Sequence, residues 1–190
     1  MPAMSPRHWT REEVLALPDD GMRYELVDGE LLVSPAPRFR HQIAVMLLHD
    51  TVRKYVADHH QGLAMNLPGD LDLESGQVVI PDLYVLRVSM DRLPERWEEV
   101  GIPLLITEVI SPSTSRHDRV VKRRAYQRAG VPVYWIVDLE ARMMEVWTPE
   151  AAGPLIATDR LTWQPRPELP PLEIDLEECL GPAWTVNPAP

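Results

Sequence analysis

The sequence predicts an α/β protein in which a mixed, twisted β-sheet is flanked by α-helices. Near-continuous apolar runs at 78–86, 103–110 and 131–137 indicate buried strands, because strands covered on both faces lose their apolar–polar alternation. The segment 38–59 carries an apolar stripe at helical spacing, and 115–129 is also predicted to be helical. Strands and helices combined in this way pack as layers around a common core.

The N-terminal part predicts a short helix, a hairpin and a long helix. Thr10–Glu13 has the spacing of a capping box, which predicts a helix over about 10–17. Asp28-Gly29 separates two apolar runs and predicts a tight β-hairpin. The stripe of the helix at 38–59 is continued at its N-terminal end by His41.

The strand at 78–86 should carry a bulge or begin near Pro81, because proline cannot donate a ladder hydrogen bond. Residues 89–101 are predicted to be a loop with a helical turn. Shorter strands are expected at 63–67, 71–73 and 143–147. After residue 148 the chain is rich in proline, which predicts an extended tail with one strand near 172–176.

Length and composition indicate one domain over 1–190, with a core at about 10–150 and an extension at 151–190 packed on it. No apolar run approaches the roughly 20 residues that span a bilayer, and the N-terminal segment lacks the apolar stretch of a signal peptide. A single cysteine, Cys179, excludes an internal disulfide. These features predict a cytoplasmic protein without a membrane partner.

The net charge of −10 argues against tight non-specific binding to DNA, which depends on many Lys and Arg contacts with phosphate. The basic residues are nevertheless concentrated in two stretches, 116–128 and 38–54. Each could be a solvated helix face or a local nucleic-acid contact. The chain has only two lysines, Lys54 and Lys122.

Asp82, Glu108 and Lys122 form the pattern with the clearest chemical meaning. Two carboxylates on neighbouring strands can hold Mg²⁺ or Mn²⁺, and the cation polarises phosphate and acidifies water. An ammonium group can neutralise charge that develops on phosphate oxygen. A carboxylate in a strand as apolar as that of Glu108 also needs a partner, because its burial alone is costly.

Less specific interpretations stay open for each of these residues. Lys122 could form only a helix-surface ion pair with Asp118, four residues earlier. Among the accessory candidates, Glu25 lies in the hairpin, where acids are usually solvated, and His41 could be a core histidine. Tyr126 could belong to the core or contact phosphate.

The order and spacing of several motifs resemble the Uma-type family, described as "putative restriction endonucleases". The motifs are Tyr24–Leu31, His41, Pro81-Asp82, Glu108–Thr114, Asp118, Lys122, Tyr126 and Tyr134–Asp138. The resemblance implies the PD-(D/E)xK nuclease fold, a metal site at Asp82 and Glu108, and Glu25 as an outer acid. It departs from the general motif at Ile110, where lysine is usual, so that Lys122 would be the migrated replacement.

Three functions are compatible with the sequence. The first is a Mg²⁺- or Mn²⁺-dependent endonuclease acting on nucleic acid, with DNA favoured over RNA. The second is a nuclease-derived binding or structural module without activity, and the third is a metal-dependent hydrolase of small phosphate esters. A homodimer is compatible with each of the three.

Overall fold

The computed structural model describes residues 7–73, 76–89 and 91–185. The two ends of the predicted 1–190 domain, and residue 90 of the predicted loop, lie outside these residues. The described elements, in chain order, are α1 (Arg11–Leu15), β1 (Met22–Val27), β2 (Glu30–Pro35), α2 (Phe39–Asp58), β3 (Leu63–Met65), β4 (Leu83–Leu86), a 3₁₀ turn (Trp97–Glu99), β5 (Leu105–Ile110), a π-helical segment (His117–Lys122), α3 (Arg123–Arg128), β6 (Tyr134–Asp138), β7 (Met143–Trp147), β8 (Leu155–Ala157), β9 (Arg160–Trp163), β10 (Leu172–Asp175) and α4 (Leu176–Trp184).

The central sheet is mixed, as predicted, with the strand order β3-β4-β5-β6-β7-β8. Only β5 and β6 are parallel, and the π-helical segment and α3 connect them as a crossover. The other neighbours in this sheet pair antiparallel. β1–β2 and β9–β10 form two separate hairpins.

Alternating residues of the central strands build a core on each face of the sheet. Val109 and Trp135 pack with residues of α2 and α4 on one face. Ile106 and Ile136 pack on the other face with Tyr126 of α3 and with residues of the β1–β2 hairpin. The sheet therefore lies between two covering layers, and Glu108, which alternates with Val109, faces the layer that contains α3.

Local signals at the N-terminus are confirmed. Thr10 and Glu13 form a reciprocal capping box at α1. Asp28 and Gly29 both have positive φ, at 54° and 77°, as the tight turn between β1 and β2 requires. The apolar stripe at 38–59 becomes α2 and faces the core.

The prediction of an extended tail after residue 148 was wrong. β8 joins the edge of the central sheet, β9 and β10 form a hairpin, and α4 packs on α2. The prolines at 165–171 lie in the loop between β9 and β10, and the Asp175 side chain accepts the Glu178 N–H to cap α4. The proline content therefore correctly indicated the loop between β9 and β10. It did not indicate that apolar residues on either side of that loop form strands and a helix that pack on the core.

Two smaller predictions also need correction. The expected strand at 71–73 is reduced to one bridge between Leu71 and Val79. The expected regular helix at 115–129 begins with a π-helical turn, in which the Arg123 N–H reaches the Asp118 carbonyl five residues earlier. Helical periodicity predicts the existence of the helix but does not report this change in hydrogen bonding. Among the described residues, no helix is both long and apolar enough to cross a membrane.

Gly62, between α2 and β3, makes a close backbone approach that predicts a measurable effect. Its φ is 121°, and a Cβ built there would lie 1.9 Å from the carbonyl oxygen of Leu86. We expect Gly62→Ala to destabilise the protein by about 2 kcal/mol or more in urea denaturation. Gly153→Ala, where a Cβ would meet nothing within 4 Å, is the control and should lie near wild type. Equal urea midpoints for Gly62→Ala and Gly153→Ala would show that the close approach of Gly62 to Leu86 does not restrict the side chain at this position.

Candidate active site

Asp82 directly precedes β4, and Glu108 lies on the paired strand β5. β4 runs antiparallel to β5 with Leu83 opposite Thr107, which are the residues next to Asp82 and Glu108 in the chain. Both carboxylates are buried, and Asp82 Oδ2 accepts the Val109 N–H at 2.9 Å. The pairing of β4 with β5 agrees with the prediction that these acids belong to neighbouring strands, although Asp82 lies one residue before β4.

Lys122 points into the protein and contacts three carboxylates. Its Nζ lies 2.7 Å from Glu25 Oε2, 3.0 Å from Glu108 Oε1 and 3.4 Å from Asp118 Oδ1. Only 5% of its side chain is exposed. The helix ion pair with Asp118 and the approach to Glu108 are therefore both present. Lys122 thus places an ammonium group beside Glu108, while Ile110, at the position where the general motif carries lysine, packs in the core.

Two further basic side chains, Arg23 and His41, contact Asp82. Arg23 Nη1 lies 3.0 Å from Asp82 Oδ1, and His41 Nε2 lies 3.0 Å from Asp82 Oδ2. Arg23 was not among the predicted site residues. Its signal was the alternation of β1, which places Arg23 on the same strand face as Glu25.

The remaining accessory residues are buried and form hydrogen bonds beside Glu108 and Lys122. The Tyr126 hydroxyl donates to Glu108 Oε1 at 3.0 Å and is fully buried, which favours the core interpretation over direct contact with phosphate. Glu25 is also buried, with Oε1 accepting the Ile80 N–H at 2.8 Å, so the expectation of a solvated hairpin acid was wrong. The Tyr134 hydroxyl donates to the Asp118 carbonyl at 3.2 Å.

Burial and ion pairing move the pKa values of these groups in opposite directions. Burial raises the pKa of Glu108 well above its ordinary value, although Lys122 opposes the shift. Burial likewise raises the pKa of Asp118. Burial would also raise the pKa of Asp82, but contacts with His41, Arg23 and the Val109 N–H hold it well below its usual range.

The ammonium pKa of Lys122 responds to both burial and charge. Burial favours the neutral amine, but the three neighbouring carboxylates outweigh it and raise the pKa well above its ordinary value. Lys122 therefore stays protonated at neutral pH and cannot serve as a general base. It can donate hydrogen bonds and stabilise negative charge.

The charges at the site do not balance, which bears on a metal ion. We call the following set the carboxylate cluster: Glu25, Asp82, Glu108 and Asp118. When ionised, its four negative charges face two fixed positive charges, Arg23 and Lys122, leaving an excess equal to the charge of one divalent cation. Within the described residues no three His, Cys, Asp or Glu side chains are arranged as a complete ligand set. Mg²⁺, however, needs only one or two carboxylates, with water and phosphate as its other ligands, so the donor chemistry of Asp82 and Glu108 fits this ion.

The basic stretch at 116–128 divides into paired and exposed residues. Arg119 contacts Asp138 at 2.8 Å and the buried Glu145 at 2.6 Å, and therefore serves the fold. Arg116 and Arg124 are exposed on the same helical region. The stretch thus combines structural ion pairs with solvated arginines.

Comparison with known proteins defines the class. The family Uma2, described as "Putative restriction endonuclease", matches residues 11–187, and the chain belongs to this family. A solved structure from Anabaena variabilis, described as a "putative nuclease belonging to DUF820", superposes with a TM-score of 0.69 at 18% identity, covering 92% of this chain and 99% of the other. At that identity the likeness establishes the fold alone. No curated protein matches the chain.

Proposed function

We propose that the protein is a Mg²⁺- or Mn²⁺-dependent endonuclease that hydrolyses phosphodiester bonds, with DNA as its substrate. The observation that carries the proposal is a buried cluster of four carboxylates, which includes Asp82 and Glu108 and contacts Arg23 and Lys122. Membership in the Uma2 family supports nuclease chemistry. Bound between these carboxylates, the metal would supply Lewis-acid polarisation of phosphate and acidification of water.

Within this proposal the other side chains orient the carboxylates and stabilise charge. Lys122 presents a permanent positive charge beside Glu108, where it can offset the charge that develops on phosphate oxygen. Glu25 fixes the position of Lys122 and is itself fixed by the Ile80 N–H. Tyr126 orients Glu108 through its hydroxyl.

One observation favours a second function, a binding module without catalysis. Each member of the carboxylate cluster already contacts a lysine or an arginine within the described residues. A protein that keeps these ion pairs in the presence of metal could bind nucleic acid without cleaving it. A nuclease should therefore exchange these ion pairs for a divalent ion, whereas a binding module should keep them.

We expect the purified protein to cleave supercoiled plasmid DNA in Mg²⁺ or Mn²⁺ and to be inactive in EDTA. The same ions should raise the melting temperature, because they bind only the folded site. Single-stranded RNA assayed in parallel tests the choice of DNA. Glu108→Gln protein prepared identically controls for contaminating nucleases. Neither cleavage nor a metal-dependent rise in melting temperature would favour the binding module.

A further inference from the structure

Arg23 occupies the position at the carboxylate cluster from which a cation could most readily leave. Among the described basic side chains that contact the cluster, Arg23 is the most exposed, at 24%, against 15% for His41 and 5% for Lys122. Its guanidinium lies in the field of Asp82, Glu108 and Glu25 together. A divalent cation held by these carboxylates would therefore be repelled by the Arg23 guanidinium.

The two oxygens of Asp82 are held unequally. Oδ2 lies against His41 and accepts the Val109 N–H, a backbone donor that cannot withdraw. Oδ1 contacts Arg23, whose other contact in this region is a long bond of 3.5 Å to the Ile80 carbonyl. Withdrawal of Arg23 would free Oδ1 for a metal while Oδ2 keeps the carboxylate in place.

A guanidinium released at this point would have a natural ligand. Arginine presents parallel N–H donors that match phosphate oxygens and stays charged at every physiological pH. Arg23 lies at the solvent side of the cluster, from which a phosphodiester must approach. The buried Lys122 lacks that freedom because three carboxylates hold it.

We propose that Arg23 is a phosphate-binding residue of the nuclease site, which pairs with Asp82 in the metal-free protein and passes to the substrate phosphate when a divalent cation takes Asp82 Oδ1. The inference rests on the proposed function, since it requires that the carboxylates bind metal. It assigns to one side chain two opposite effects: competition with the metal, and attraction of the substrate. No covalent step is added, because only ion pairs are exchanged.

The test measures both effects in Arg23→Gln. Mn²⁺ affinity without nucleic acid, measured by calorimetry, should increase at least about tenfold, because a competing positive charge is removed. Cleavage of plasmid DNA at saturating Mn²⁺ should fall about 100-fold, the usual effect of losing one donor to developing charge. Loss of folding would instead weaken both. Arg23→Lys should restore Mn²⁺ affinity toward wild type and recover cleavage in part, since lysine keeps the charge but not the paired donors.

Arg11 provides a matched control. Its side chain is 22% exposed and lies 3.7 Å from Asp72, outside the carboxylate cluster. Arg11→Gln should change neither Mn²⁺ affinity nor cleavage. Unchanged Mn²⁺ affinity in Arg23→Gln would overturn the exchange at Asp82, and wild-type cleavage would overturn the contact with phosphate. If wild-type protein binds no Mn²⁺, the proposed function fails first and the inference fails with it.

Discussion

Replacing Lys122 by methionine should destabilise the protein by about 3–5 kcal/mol at neutral pH, the usual cost of removing one partner from a buried ion pair. Methionine keeps much of the side-chain volume, so the loss would come from charge and not from a cavity. The ammonium is the shared counterion of Glu25, Glu108 and Asp118, all of which are buried. Without it, these carboxylates must bind protons or remain uncompensated.

The pH dependence of this loss follows from the direction of the pKa shifts. The raised pKa of Lys122 means that its stabilising contribution is fully present below about pH 10.5 and is lost only as pH rises through the folded-state pKa. In the variant, buried Glu108 and Asp118 favour protons, so its stability should increase as pH falls from neutral toward their ordinary carboxyl range. The difference between wild type and variant should therefore narrow on acidification.

Urea denaturation at pH 7.5 and at pH 5 measures both expectations. Lys54→Met is the matched control, because Lys54 is the other lysine of the chain and forms an exposed pair with Asp58. An exposed i,i+4 pair is worth at most a few tenths of a kcal/mol, so this variant should resemble wild type at both pH values. A Lys122→Met protein as stable as Lys54→Met would mean that the three contacts do not compensate the carboxylates.

The sequence predicted those parts of the site that local patterns determine. Apolar runs assigned Asp82 and Glu108 to neighbouring buried strands, and helical spacing assigned Lys122 to the helix that follows. The stabilising role of Lys122 was not predicted from the sequence, because its contact with Glu25 joins segments almost 100 residues apart. Local periodicity cannot report which layer covers a face, so the burial of Glu25 was not foreseen.

The same limit explains Arg23 and the C-terminal region. Arg23 contacts Asp82 only because the β1–β2 hairpin packs beside the start of β4, which sequence patterns do not predict. The region after residue 148 was predicted from its prolines, but Ala157 of β8 and the apolar residues of α4 pack in the core. Both features depend on long-range packing, which overrides composition.

Asp82→Asn and Glu108→Gln should each lower metal-dependent cleavage by at least about 100-fold, since each removes a charged ligand from the ion that supplies several kcal/mol of transition-state stabilisation. Each should also abolish the rise in melting temperature caused by Mn²⁺. Glu145→Gln is the control, because Glu145 is an equally buried carboxylate that pairs with Arg119 away from the cluster. Its own stability can change, but its Mn²⁺-dependent rise should remain. If Asp82→Asn and Glu108→Gln keep that rise, the two carboxylates do not bind the ion.

In metal-free buffer the same two variants should diverge. Repulsion among the neighbouring carboxylates, taken alone, predicts that both substitutions stabilise the protein. The contacts of Asp82 with Arg23 and His41 predict instead that Asp82→Asn destabilises it. Asp82→Asn leaves Arg23 without its carboxylate and weakens the contact with His41, at a cost of about 1–3 kcal/mol. The lowered pKa of Asp82 means that this contribution is present above its ordinary carboxyl range and is lost as pH falls through the folded-state pKa, so the cost should shrink in acid.

Glu108→Gln should be close to neutral or stabilising in metal-free buffer, because burial already raises the Glu108 pKa and disfavours its charged form. The amide oxygen can still accept the Tyr126 hydroxyl, and Lys122 keeps Glu25 and Asp118 as partners. Urea denaturation in EDTA therefore ranks Glu108→Gln at or above wild type and Asp82→Asn below it. The reverse order would show that Arg23 and His41 do not compensate Asp82, and would remove the unequal pairing on which the metal site and the exchange at Arg23 both depend.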